Sequence, residues 1–98
     1  MRYEGLILTQ FFVITNKLTS AVCRPIASLA AACPTLVDLN LRFNNIDAEG
    51  AKIFAEFLRT NRTVTKLALS GNEGIGDEGA IALADVRSFV QFVVEYVV

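Results

Sequence analysis

Between residues 36 and 46 the chain reads LVDLNLRFNNI, with apolar side chains at Leu36, Leu39, Leu41 and Ile46 and polar ones at Asp38, Asn40 and Arg42. Alternation over 38–42 is the period-two signature of a strand with one buried face. The period then changes. Ile53, Phe54, Phe57 and Leu58 mark one face of a helix, and Lys52, Glu56 and Arg59 mark the other. Asp47 stands at the N-cap of that helix, three residues before Gly50. The same succession returns in VTKLALSGNEGI at 64–75. Leu36, Leu39, Leu41 and Asn44 recur 28 residues on as Val64, Leu67, Leu69 and Asn72. Ile46, Gly50, Ala51 and Ala55 recur 29 on as Ile75, Gly79, Ala80 and Ala84, the added residue falling in the turn.

A fixed period of this length marks a repeat array. Stepping 28 back from residue 36 meets Leu8, Phe11, Val13 and Asn16, and stepping 29 forward from 64 meets Val93, Tyr96 and Val98. The pattern predicts one domain over 1–98, with repeats at about 8–35, 36–63 and 64–92 and a partial copy at 93–98. Strands are expected around 10–13, 38–41, 66–69 and 94–97, and helices over 20–32, 47–60 and 77–90, with Asp77 capping the third helix. Strands that alternate with helices imply an α/β class with a parallel sheet.

These residues resemble the ribonuclease-inhibitor-like leucine-rich repeats. The resemblance runs from about Leu8 to Val98 and is strongest over 36–84, which carries the L-x-x-L-x-L-x-x-N strand motif, the I-x-x-x-G-A start of the helix and the N-x-T return. Phe11 stands for leucine in the first copy, and DVRSFVQF departs from the return seen in FLRTNRTV. The resemblance implies a solenoid of about three and a half strand-turn-helix units, with the sheet concave and the helices convex. It also implies that Asn16, Asn44 and Asn72 form an inward ladder bonding loop backbone between units.

Residues between the core positions then line the concave face in rows. Gln10, Asp38, Lys66 and Glu95 form one, Phe12, Asn40, Ala68 and Val97 the next, and Ile14, Arg42 and Ser70 the third. Acid and base on neighbouring strands of the first row can pair laterally. The expected partner-binding residues are Asp38, Asn40, Arg42, Lys66 and Ser70. Phe12 and Ile14 are apolar where polar side chains are expected; they belong to a contact surface or lie under residues 1–7.

The stretch GIGDEG at 74–79 is a literal G-x-G-x-x-G between a strand and a helix, and Glu95 follows at about the spacing of a ribose-binding acid. The repeat explains it better. The matched stretch NNIDAEG keeps only the last glycine, and Glu73, Asp77 and Glu78 would oppose a phosphate at the helix start. A calcium loop from Asn72, Glu73, Asp77 and Glu78 lacks the EF-hand spacing.

Composition narrows the function further. The chain is 53% hydrophobic with a net charge of −1, which lacks the basic footprint of a nucleic-acid binder. It contains no histidine, so the commonest general base and zinc ligand are missing. Ser28, Ser70, Cys23 and Cys33 have no evident catalytic partners, and neither cofactor nor metal is expected. Cys23 and Cys33 read as free buried thiols of a reducing compartment, which points to the cytoplasm. LILTQFFVIT invites a signal-peptide reading, but Glu4, Gln10 and the repeat register argue against it. FVQFVVEYVV is too short to span a bilayer. Neither end carries a polar cap, so a fragment or a self-associating chain is expected. The resemblance, which extends to NOD-like receptor repeats, implies a non-catalytic protein-interaction module or scaffold. Its alternative is a regulator of a GTPase, since Ran GTPase-activating protein carries similar repeats.

Overall fold

The computed structural model describes residues 8–86 and the backbone of 93–95. Strand β1 (Gln10–Phe12) leads through a 3-10 turn at Ser20–Val22 into helix α1 (Cys23–Ala32). Strand β2 (Asp38–Asn40) and helix α2 (Ala48–Thr60) follow, then strand β3 (Lys66–Ala68). A second 3-10 turn, Glu73–Ile75, opens helix α3 (Gly76–Val86), and strand β4 (Val93–Glu95) ends the described chain. The four strands form one parallel sheet in the order β1-β2-β3-β4. Gln10 aligns with Asp38 and Asp38 with Lys66, which is the 28-residue step read from the sequence.

The last strand departs from that reading. Val93 aligns with Lys66, Val94 with Leu67 and Glu95 with Ala68. The sequence step of 29 instead placed Glu95 beside Lys66. The slip is two residues. The third unit lacks the N-x-T return that fixes the register of the second, so the period loses its anchor there. Val97, residues 87–90 of the expected third helix and residues 1–7 lie outside the described residues.

One sheet face packs on the helices. Leu36, Leu39, Leu41, Val64, Leu67 and Leu69 join Phe54, Leu58, Ile46 and Ile75 in a single buried cluster. Full burial of each such side chain contributes about 1.5–3 kcal/mol. The first-repeat counterparts Leu8, Phe11 and Val13 are only partly buried against that cluster. Among the described residues they have a neighbouring unit on one side alone.

Helix starts show how the units interlock. The Asp47 carboxylate accepts from the N–H groups of Glu49 at 3.0 Å and Gly50 at 3.4 Å, which makes it the N-cap of α2. Thr19, 28 residues earlier, caps the first 3-10 turn by accepting from Ala21 N–H. Asp77 does not cap α3. A step of 29 from Asp47 lands on Gly76, so Asp77 falls inside the first turn of α3. Ser20 links two units: its hydroxyl donates to Asp47 Oδ1 at 2.5 Å and accepts from the N–H groups of Asp47 at 3.1 Å and Gly50 at 3.0 Å. This bond, with the backbone N–H groups of Gly50, Glu49 and Asp47, holds the Asp47 carboxyl below the ordinary carboxylate range.

Two of the three glycines of GIGDEG have a structural reason, and the reasons differ. Gly76 takes φ 59° and ψ −167°, a region open almost only to glycine. Gly79 has no room for a side chain: a methyl there would lie 2.4 Å from Ile75 Cγ2 and 3.0 Å from Ala51 Cβ. At Gly74 the nearest atom would be 3.4 Å away, an ordinary contact.

Candidate interaction face

The asparagine ladder has two rungs in place of the three expected. Asn72 donates through Nδ2 to Leu41 O and Leu69 O, both at 2.9 Å, and accepts from Ile46 N–H at 3.0 Å. Asn44 donates to Val13 O at 2.8 Å and Leu41 O at 3.1 Å and accepts from the N–H groups of Thr15 and Leu18, both at 3.3 Å. Each buried amide therefore ties its own turn to the preceding unit, which satisfies groups that cannot reach water. Asn16 is exposed and sits at φ 62°. In the other units the left-handed residues are Phe43 and Gly71, each directly before its rung. The first turn is thus one residue out of step, and Asn16 serves as its left-handed residue, a conformation asparagine tolerates.

The outward sheet face begins with Gln10, Asp38 and Lys66 side by side. Gln10 Nε2 reaches Asp38 Oδ2 at 3.5 Å, the limit of a hydrogen bond. Asp38 and Lys66 share a register but form no ion pair. Oδ1 of Asp38 is buried without a hydrogen-bond partner. In the second row Asn40 is only 8% exposed, and its Oδ1 accepts from Arg42 N–H at 3.2 Å. Its side chain therefore shapes the strand end instead of standing out for a ligand. Arg42, Lys66 and Ser70 are half-buried.

Phe12 is 64% exposed and Ile14 41%, so the apolar pair at the β1 edge of this face stands in solvent. The alternative of coverage by residues 1–7 lies outside the described residues. Phe43 joins Phe12 and Ile14 as an exposed aromatic, at 51%, in the turn after β2. It was not singled out from the sequence, although a visible signal existed: it stands 28 residues before Gly71, where a turn glycine is usual. Its ring lies over Gly71, with ring carbon Cδ1 only 2.4 Å from where a methyl on that glycine would be. Ser20, the link between units, was missed for the same reason as any single hydroxyl in a turn: its role depends on what the fold places beside it.

Both cysteines are free and buried, as the sequence reading expected. Burial pushes the Cys23 thiol up to about 11; the Asp47 carboxylate adds to this and the Ser20 hydrogen bond opposes it. Ellman's reagent at pH 8 is expected to leave Cys23 unreacted in the folded protein and to titrate two thiols in denaturant. Prompt reaction at Cys23 without denaturant would contradict the burial. Among the described residues no cluster of acids and cysteines could hold a metal ion, and no helix is long and apolar enough to cross a membrane.

The strand-turn-helix geometry agrees with two comparisons. The chain is similar in structure to leiomodin-1 actin-binding site 2, with a TM-score of 0.83 at 22% identity over 93% of this chain. It spans 54% of that protein's chain, about half its length. At that identity the likeness speaks for the fold. In sequence, two stretches, residues 32–55 and 60–84, match the Leucine Rich repeat family. They cover half of the chain and coincide with the two units whose asparagine rungs, cores and strand registers are described above, so the chain belongs to the leucine-rich repeat family.

Proposed function

We propose that this chain is a non-catalytic module that receives a protein partner on the outward face of its sheet. In this reading the repeats are of the ribonuclease-inhibitor-like kind, divided at about 8–35, 36–63, 64–92 and 93–98, with the sheet concave and the helices convex. Asp38, Arg42, Lys66 and Ser70 form the polar part of the contact and Asn40 its floor. The observation that carries the reading is the exposure of Phe12 and Ile14 beside these polar residues. Large apolar side chains standing together on an otherwise polar sheet face are the usual mark of a contact surface. The neighbouring fold's name makes actin the first partner to try. Control of a GTPase is the alternative form of the same reading, and GTP turnover with and without the chain separates the two.

The test is binding of pure actin, measured by co-sedimentation and by fluorescence anisotropy. The double variant Phe12→Ser, Lys66→Glu is expected to weaken binding about tenfold or more, since two contact residues at about 1 kcal/mol each suffice for that. Glu49→Gln, on the helix side, is expected to leave binding unchanged. Equal effects from the two surfaces would remove the sheet face from the reading. Failure with actin alone removes that partner only, and the same variants then test any other candidate.

A further inference from the structure

The interval between α1 and α2 differs from the one between α2 and α3. The second is bridged by two ion pairs, Lys52 with Glu78, and Arg59 with Asp85 at 2.8 Å. Stepping Asp85 back by 29 gives Glu56, and stepping Arg59 back by 28 gives Ala31. The first interval therefore keeps the acid and has a methyl group where the cation stands in the second. What opens there is a groove of about 250 Å³, with Ala27 and Ala31 on one wall and Phe57 and Glu56 on the other. Ser28 and Thr60 add two hydroxyls to its lining. Glu56 makes no ion pair, and neither hydroxyl makes a hydrogen bond, among the described residues.

We infer that this groove takes the side chain of an arginine presented by a partner protein, seated where Arg59 sits in the next interval. Its aliphatic stem covers Ala27, Ala31 and the ring of Phe57, and its guanidinium meets the Glu56 carboxylate. Arginine suits the site better than lysine. A planar fork of donors can serve a carboxylate and two hydroxyls at once, and it also stacks on an aromatic ring. Arg24, the one cation of the lining, stands seven residues before Ala31 on α1, about 10 Å along the helix axis. It leaves the Ala31 end of the groove to the incoming charge. This site is separate from the sheet face and stands or falls without it.

The test uses N-acetylarginine amide as probe and its neutral analogue N-acetylcitrulline amide as control, titrated into the ¹⁵N-labelled protein. An exposed ion pair is weak, so saturation is expected in the millimolar range. Saturable amide shifts should gather at Ser28, Ala31, Glu56 and Thr60 and should be several-fold weaker with citrulline or in Glu56→Gln. In Ala31→Arg the chain supplies its own cation, so the shifts at these residues should vanish. Equal titration by citrulline, shifts outside the groove, or undiminished binding in either variant would overturn the inference. Should Ala31→Arg fail to fold, Glu56→Gln still decides, because that side chain is exposed and makes no hydrogen bond or ion pair among the described residues.

Discussion

Asn72→Ala is expected to lower the unfolding free energy by about 3 kcal/mol or more, enough to unfold much of a small domain near 37 °C. The change leaves Leu69 O and Ile46 N–H without the partners they have now and Leu41 O with only its bond from Asn44. Asn72 is 1% exposed, so water cannot replace what is lost. Each stranded buried group costs about 1–3 kcal/mol, and the two are too close to add in full. Asn72→Asp keeps the shape and the acceptor but removes both donors, so it is expected to be nearly as harmful. Asn16→Gly is the comparison, with an expected effect within about 0.5 kcal/mol because the residue is exposed and glycine takes its left-handed backbone without strain. Urea unfolding followed by circular dichroism measures all three. Similar losses at positions 16 and 72 would mean that the ladder has a third rung after all.

That contrast shows how far the sequence could be read. The period identifies Asn16, Asn44 and Asn72 as equivalent, and the inference is sound for the two that have a preceding unit to bond. It misleads at Asn16, where one residue of slip in the turn converts a rung into a left-handed corner. The same limit explains Asp77. Counting from the glycine pair Gly50 and Gly79 places Gly76, not Asp77, opposite Asp47, yet a carboxylate near a helix start is the stronger local signal. The interior was legible because core leucines are fixed by alternation and period alone. The candidate contact face was legible in outline: the rows over β1, β2 and β3 are those expected. How each row uses its side chains was not. Asn40 turns into its own strand end, Asp38 and Lys66 do not pair, and the β4 register moves by two. Those outcomes depend on side-chain placement and on turn lengths, which a period does not encode.

Gly50→Ala is the second large effect expected, and its sign has to be argued because two tendencies oppose each other. In the interior of a helix, alanine is favoured over glycine by about 1 kcal/mol. Here a methyl would lie 2.5 Å from Ser20 Oγ, 2.6 Å from Ile46 Cγ2 and 2.8 Å from Cys23 Sγ. Three contacts below 3.0 Å cannot be relieved by one side chain moving, since Ile46 and Cys23 are fully buried. Overpacking of this kind costs about 1–3 kcal/mol. The methyl also displaces the hydroxyl that joins the units, which accepts from Gly50 N–H at 3.0 Å and donates to the Asp47 cap. Losing those bonds adds about 1 kcal/mol each. The clash therefore outweighs the helix preference, and a net loss of about 2–3 kcal/mol is expected in the same urea experiment. Gly74→Ala has no neighbour nearer than 3.4 Å and is expected to change stability by less than about 0.5 kcal/mol. Two further variants locate the cause. Cys23→Ala made together with Gly50→Ala removes the sulfur contact and is expected to cost less than the two single losses added together. Strict additivity would show that the helix start relaxes away from α1 without strain, and that close approach is not the reason for a glycine at this point of the repeat.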